Sequence, residues 1–121
     1  MANPPPGTEL DALVAKAMGQ DVRRVPDGRG GLEWEMRDPG GDWVAVPAYS
    51  TAGNGMLAML EWMRAKGWFI NLHYWPDGAT TRVYVAGTSI LLVRTSENAA
   101  PHAVALALLA AAKAEKEKSD G

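Results

Sequence analysis

Residues 68–75 read WFINLHYW and are followed directly by Pro76-Asp77-Gly78. Strand alternation puts Trp68, Ile70, Leu72 and Tyr74 on one side and Phe69, Asn71, His73 and Trp75 on the other. The Pro-Asp-Gly turn returns the chain at once into a second strand, Thr80–Ala86. Strands joined this tightly are antiparallel, since a parallel pair needs a crossover of about a dozen residues or more. In a chain of 121 residues that hairpin excludes the doubly wound nucleotide-binding sheet and points to α+β.

The flanking sequence fits the same class. Thr8 to about Met18 reads as a helix, with Leu10, Leu13, Val14 and Ala17 at helical spacing, a Thr8/Asp11 capping box and Gly19 as its stop. VPDGRGG (25–31) reads as a loop. Leu32, Trp34 and Met36 alternate with Glu33, Glu35 and Arg37, then Asp38-Pro39-Gly40-Gly41 turns the chain into a strand from Asp42 to Val46. A second helix starts at Ser50 or Thr51 and stops at Gly67. Its stripe of Met56, Leu57, Met59, Leu60 and Met63 reads as core. A last strand, Ile90–Thr95, precedes a helix with Pro101 in its first turn. The expected architecture is a largely antiparallel sheet of about five strands with three helices on its faces, in the order αββαβββα. Residues 1–7 are expected as a disordered lead-in, 8–114 as one domain and 115–121 as a disordered tail.

Composition narrows the chemistry. A net charge of −2 without a strongly basic block lacks the usual footprint of a nucleic-acid binder. The absence of cysteine excludes disulfides, thiolate zinc sites and a cysteine nucleophile. The start, MANPPPGTEL, does not read as a secretory signal. The longest apolar run, Ala103–Ala112, is ten residues, against about 20 for a membrane span. A cytoplasmic protein without a cofactor is expected.

Each individual candidate also has a plainer role. Gly53 and Gly55 at a helix mouth match part of the dinucleotide pattern G-x-G-x-x-G/A, which with Ser50 and Thr51 would hold a phosphate. Pro47, Ala48, Tyr49, Ser50 and Thr51 lie between them and the preceding strand, however, and the simpler reading is a helix capped by Ser50 or Thr51. A glycine there also permits close approach of another backbone. The two histidines, His73 and His102, lack partners at metal-ligand spacing. Glu33 and Glu35 read as a solvated strand side, and Ser50 has no nucleophile elbow around it. No catalytic residue is assigned.

Phe69, His73, Trp75, Arg82 and Tyr84 share a sheet face suited to stacking single-stranded bases. If the first helix covers that face they are core, and core is the expectation. Five tryptophans leave Trp43, Trp62 and Trp75 at element ends or edges, where tryptophan can anchor a protein interface.

Four segments, ELDALVAKAMG (9–19), PAYST (47–51), LHYWPDG (72–78) and ENAAPHAVALALLAA (97–111), resemble a group of small phage and prophage proteins described as having a phage ABA-sandwich domain. That resemblance implies a sheet with helices on both faces and a phage origin. It supplies no activity and no catalytic residues. This sequence departs from the pattern at Ala52, where an acidic residue is expected. The resulting expectation is a non-enzymatic binding module that engages, and in one version inhibits, a host or phage macromolecule, or that self-assembles. Nucleic acid through the aromatic face is the alternative, and a small phosphorylated ligand at the helix mouth comes third.

Overall fold

The computed structural model describes residues 4–26, 28–84 and 91–120. Its elements are α1 (Thr8–Ala17), β1 (Val22–Pro26), β2 (Leu32–Arg37), β3 (Trp43–Ala45), α2 (Gly53–Ala65), β4 (Phe69–Trp75), β5 (Gly78–Tyr84), β6 (Leu91–Glu97) and α3 (Ala100–Asp120). The class is α+β with three helices and antiparallel pairing, as expected. In detail there are two three-stranded sheets, β1-β2-β3 and β4-β5-β6, where one sheet of about five strands was anticipated. The additional strand is β1. Its register pairs Val22 with Met36 and Arg24 with Trp34, and the Arg23 guanidinium reaches Glu35 at 2.7 Å.

The β2–β3 turn forms where Asp-Pro-Gly-Gly predicts it. The Asp38 carboxylate accepts the Asp42 amide at 2.9 Å, and the Asp38 carbonyl accepts Gly41 N–H at 2.9 Å. The β4–β5 hairpin pairs Phe69 with Tyr84 through Trp75 with Gly78. The end of the expected second hairpin strand and the start of the expected Ile90 strand lie outside the described residues. Helices α1 and α2 stop at Gly19 (φ 86°) and Gly67 (φ 87°), a left-handed conformation that glycine adopts without a Cβ penalty.

Three local expectations are corrected. The Thr8/Asp11 capping box does not form. Helix α1 begins after Gly7 without a side-chain cap, because the Asp11 carboxylate turns to Ser50 instead. For the same reason Ser50 does not cap α2, whose N-cap is Ala52, again without a side-chain bond. Leu13, expected on the buried face of α1, is 46% exposed.

The core is organised around α3. His102 through Leu108 are all buried, which a helix can sustain only when neighbours surround it. Helix α3 packs on β5 and β6, on α2 and on α1, while α1 packs on β1 and β2. The helices therefore lie between the two sheets. Small residues at 103, 105 and 107 allow this close approach. Met59 and Met63 of α2 are fully buried and Met56 and Leu60 partly so, confirming the methionine stripe as core, whereas Leu57 is exposed. Helix α3 continues beyond the expected boundary at 114 to Asp120. Glu115 anchors its last turns, accepting the Trp68 indole N–H at 3.0 Å and pairing with Lys66 at 2.8 Å. The Lys66 hydrogen bond, more than any other influence, holds the Glu115 carboxyl below its ordinary range. His102 Nε2 lies 2.8 Å from the Pro4 carbonyl.

Thr81 faces α3 from the middle of β5 and is fully buried, and its hydroxyl has no partner among the described residues. An unsatisfied buried hydroxyl costs about 1–3 kcal/mol. Thr81→Val is therefore expected to stabilise the protein by about 1 kcal/mol in urea denaturation. A loss of that size would mean that the hydroxyl is satisfied.

Candidate functional site

Because the helices lie on one side of β4–β6, the other side of that sheet is open. Alternation and register together define what it displays. At one end Phe69 pairs with Tyr84, and a bulge at Val83/Tyr84 brings Leu91 opposite Tyr84. The next row is Asn71, Arg82 and Arg94, and the one after it His73, Thr80 and Ser96. Trp75 closes the far end. Phe69 is 55% exposed, Trp75 is 47% exposed and His73 is also exposed. The expectation that this aromatic face is core is thus corrected. Helix α1 packs on the other sheet and on α3, leaving β4–β6 uncovered on this side.

The aromatics are held in place. The Trp75 indole N–H donates to the Thr80 hydroxyl at 2.8 Å, and that hydroxyl lies 2.8 Å from the Ser96 hydroxyl. The His73 ring sits against Trp75 with centroids 4.3 Å apart and planes inclined at 40°. Thr80, although on the open side, is only 1% exposed. A ring positioned by a polar tether loses little freedom on binding, which is the condition for an efficient anchor.

The electrostatics of the face are one-sided. Arg82 and Arg94 are directly opposed in register, and neither forms an ion pair with a described residue. Like charges directly opposite on a sheet are mildly destabilising. None of the described residues pointing outward from β4–β6 is acidic; Asp77 and Glu97 sit at the hairpin end. The chain as a whole is acidic by two charges, so the cationic row is a local feature that net charge conceals.

The three tryptophans proposed as one interface are not brought together. Trp43 lies on the outward side of β3, with the Arg23 and Arg37 guanidinium groups 4.1 and 4.9 Å from its ring centroid. Trp62 is half-buried on α2, edge-on to Trp68 at 5.8 Å and close to Lys66. Only Trp75 stands on the open face. Sequence reasoning had no signal for this dispersal, because it depends on which sheet each strand joins.

The helix mouth has other work. Gly55 is buried, and a Cβ there would lie 2.4 Å from the Ala48 carbonyl oxygen and 2.6 Å from the Tyr49 Cα. It is the close-approach glycine that the sequence allowed for. Ser50 is buried and donates both its amide and its hydroxyl to Asp11 Oδ1, at 2.7 and 2.6 Å. Thr51 and Gly53 remain exposed, but Ser50 and Gly55 face protein. Tyr49 beside them has its phenol pushed above its ordinary pKa by burial first and by the Asp11 charge second.

A concavity of about 380 Å³ forms a groove between α1 and β1–β2 lined by Leu13, Val22, Trp34 and several charged residues. Its acids are engaged, Glu9 with Arg24 at 3.3 Å and Asp21 with Arg37 at 3.9 Å. No cluster of three or more histidine and acidic side chains that could hold a metal occurs among the described residues. Nor is any of their helices long and apolar enough to cross a membrane.

No family model and no curated protein matches the chain. Among solved structures, a 2.0 Å crystal structure of a phage protein from Bacillus cereus ATCC 14579 is similar. Its TM-score is 0.66 at 16% sequence identity, over 93% of each chain. The likeness is one of fold.

Proposed function

We propose that this chain is a small non-enzymatic binding module of the kind phages encode, and that it engages a host or phage macromolecule through the outer face of β4–β6. The observation that carries this reading is the open sheet face itself, where Phe69 and Trp75 stay exposed although the same strands turn Val83 fully, and Ile70 and Leu72 partly, into the core. Pockets for small molecules are concave and enclose most of the ligand. A broad sheet face with tethered rings suits a large partner instead. The fold shared with a phage protein supports the setting; in this reading Trp75 carries the binding role, while Trp43 and Trp62 make cation–π and packing contacts.

The test compares the wild type with a Phe69→Ala, Arg82→Gln double variant, whose substitutions lie outside the core. Each is immobilised and exposed to bacterial lysate, and retained protein and nucleic acid are both quantified. The wild type is expected to retain a macromolecule that the double variant loses, with unchanged circular dichroism. Equal retention by both proteins would place the binding surface elsewhere.

A further inference from the structure

We infer that the ligand of the outer β4–β6 face is single-stranded nucleic acid. This rests on the preceding assignment of that face as the binding surface and adds the chemistry of the partner.

The face is laid out as two stacking platforms separated by a row of cations. Phe69 with Tyr84 forms one platform and His73 with Trp75 the other. Phe69 and His73 are four residues apart on β4, roughly 13 Å at the usual strand rise. Arg82 and Arg94 occupy the row between them, with Asn71 alongside as a neutral hydrogen-bonding group. A protein surface generally balances such a cation pair with carboxylates, and here no outward-facing described residue of the three strands supplies one. The missing countercharge is what a phosphodiester bridging two stacked bases provides. Base–aromatic stacking tolerates any sequence because every base has a π-face, and arginine contributes both charge and planar stacking.

Double-stranded ligands fit poorly. Their bases are already stacked and paired, so the two platforms would have nothing to receive, and the cation row alone is too small for tight duplex binding. A protein partner could use the aromatics, but only one with an anionic group placed over the Arg82/Arg94 row. A second copy of this chain would bring another pair of arginines against the first.

The experiment is fluorescence anisotropy with a fluorescein-labelled twelve-nucleotide oligothymidylate, an oligouridylate of equal length and a duplex control. It is run on the full chain from 50 to 200 mM KCl. The single strands are expected to bind and the duplex to bind far more weakly. Two neutralised phosphates predict that log Kobs falls with log[salt] at a slope of about −1.4, and Arg82→Gln should flatten it by about 0.7. Phe69→Ala and Trp75→Ala should each weaken binding about 5- to 150-fold. Phe69→Ala serves as the folded reference, since Trp75→Ala also removes the Thr80 tether.

Failure of the wild type to bind either oligonucleotide at 50 mM KCl would overturn the inference, as would binding that the face variants leave unchanged. If the oligonucleotides fail while the lysate experiment still shows a protein retained through this face, the surface assignment survives and the nucleic-acid assignment falls. Sedimentation showing a dimer that Phe69→Ala dissociates would make a second copy the occupant and equally overturn it.

Discussion

Replacing Gly55 by alanine is expected to destabilise the protein by at least about 3 kcal/mol, the upper end of ordinary overpacking penalties. Within a helix this change would otherwise be favourable by up to about 1 kcal/mol. The difference comes from what the new Cβ meets. The Ala48 carbonyl oxygen, the Ala48 carbonyl carbon and the Tyr49 Cα would lie 2.4, 2.7 and 2.6 Å away. All three are backbone atoms and cannot rotate aside as a side chain would. Relief requires α2 to move off the 47–50 segment, which also carries the buried Tyr49 and Ser50. Gly53→Ala is the matched control, for nothing lies within 4 Å of its Cβ position. It should be neutral or slightly stabilising. Two glycines of one short pattern would thus give opposite results in a single set of denaturant curves. Equal stability of Gly55→Ala and the wild type would show that the two backbones are not in close contact.

Asp11→Ala is expected to cost about 3–5 kcal/mol by the same measurement. Asp11 is only 5% exposed, and its Oδ1 receives the amide and hydroxyl of Ser50, while Ser50 Oγ in turn accepts the Gly7 amide at 2.9 Å. Hydrogen bonds to a charged group contribute about 1.5–3 kcal/mol each, and truncation leaves the buried Ser50 amide without an acceptor and its hydroxyl only the Gly7 carbonyl at 3.3 Å. Asp11→Asn keeps an acceptor oxygen without the charge and should lose roughly half as much. An asparagine variant as damaged as the alanine one would mean that the charge itself, not the hydrogen-bond geometry, joins α1 to the entry of α2.

These two sites also mark the limit of what the sequence makes legible. Local signals were sufficient where the physics is local. The Pro-Asp-Gly and Asp-Pro-Gly-Gly turns, the glycine stops at Gly19 and Gly67 and the buried stripe through Met59 and Met63 all follow from neighbouring residues. Ser50 illustrates the opposite case. Its position favours a helix cap, but a carboxylate 39 residues away wins the hydroxyl. Strand β1 escaped for a similar reason. Arg23 and Arg24 break the apolar alternation, and the strand is secured by partners on β2 and α1 that only the tertiary structure supplies.

The candidate site was half legible. Alternation correctly grouped Phe69, His73 and Trp75 on one side of β4, with Arg82 and Tyr84 beside them on β5. It could not say which side is covered, because both sides of β4 carry large apolar residues. That choice is made by α3, which lies against Val83 and its neighbours and turns the aromatic side outward. Arg94 was missed altogether. The register of β6 against β5 places it opposite Arg82, and no pattern in the linear sequence carries that register.

The central claim is that the aromatic and cationic side of β4–β6 is the surface that receives the ligand. The most direct measurement is a ¹H–¹⁵N spectrum of the labelled protein titrated with the twelve-nucleotide oligothymidylate, following the indole N–H signals. The account predicts that the Trp75 indole moves, together with the amides of Phe69, Asn71, His73 and Arg82, while the Trp34, Trp62 and Trp68 indoles stay in place. A titration in which the oligothymidylate binds but leaves Trp75 unmoved, with the shifts gathered on α1 and Trp34, would contradict it.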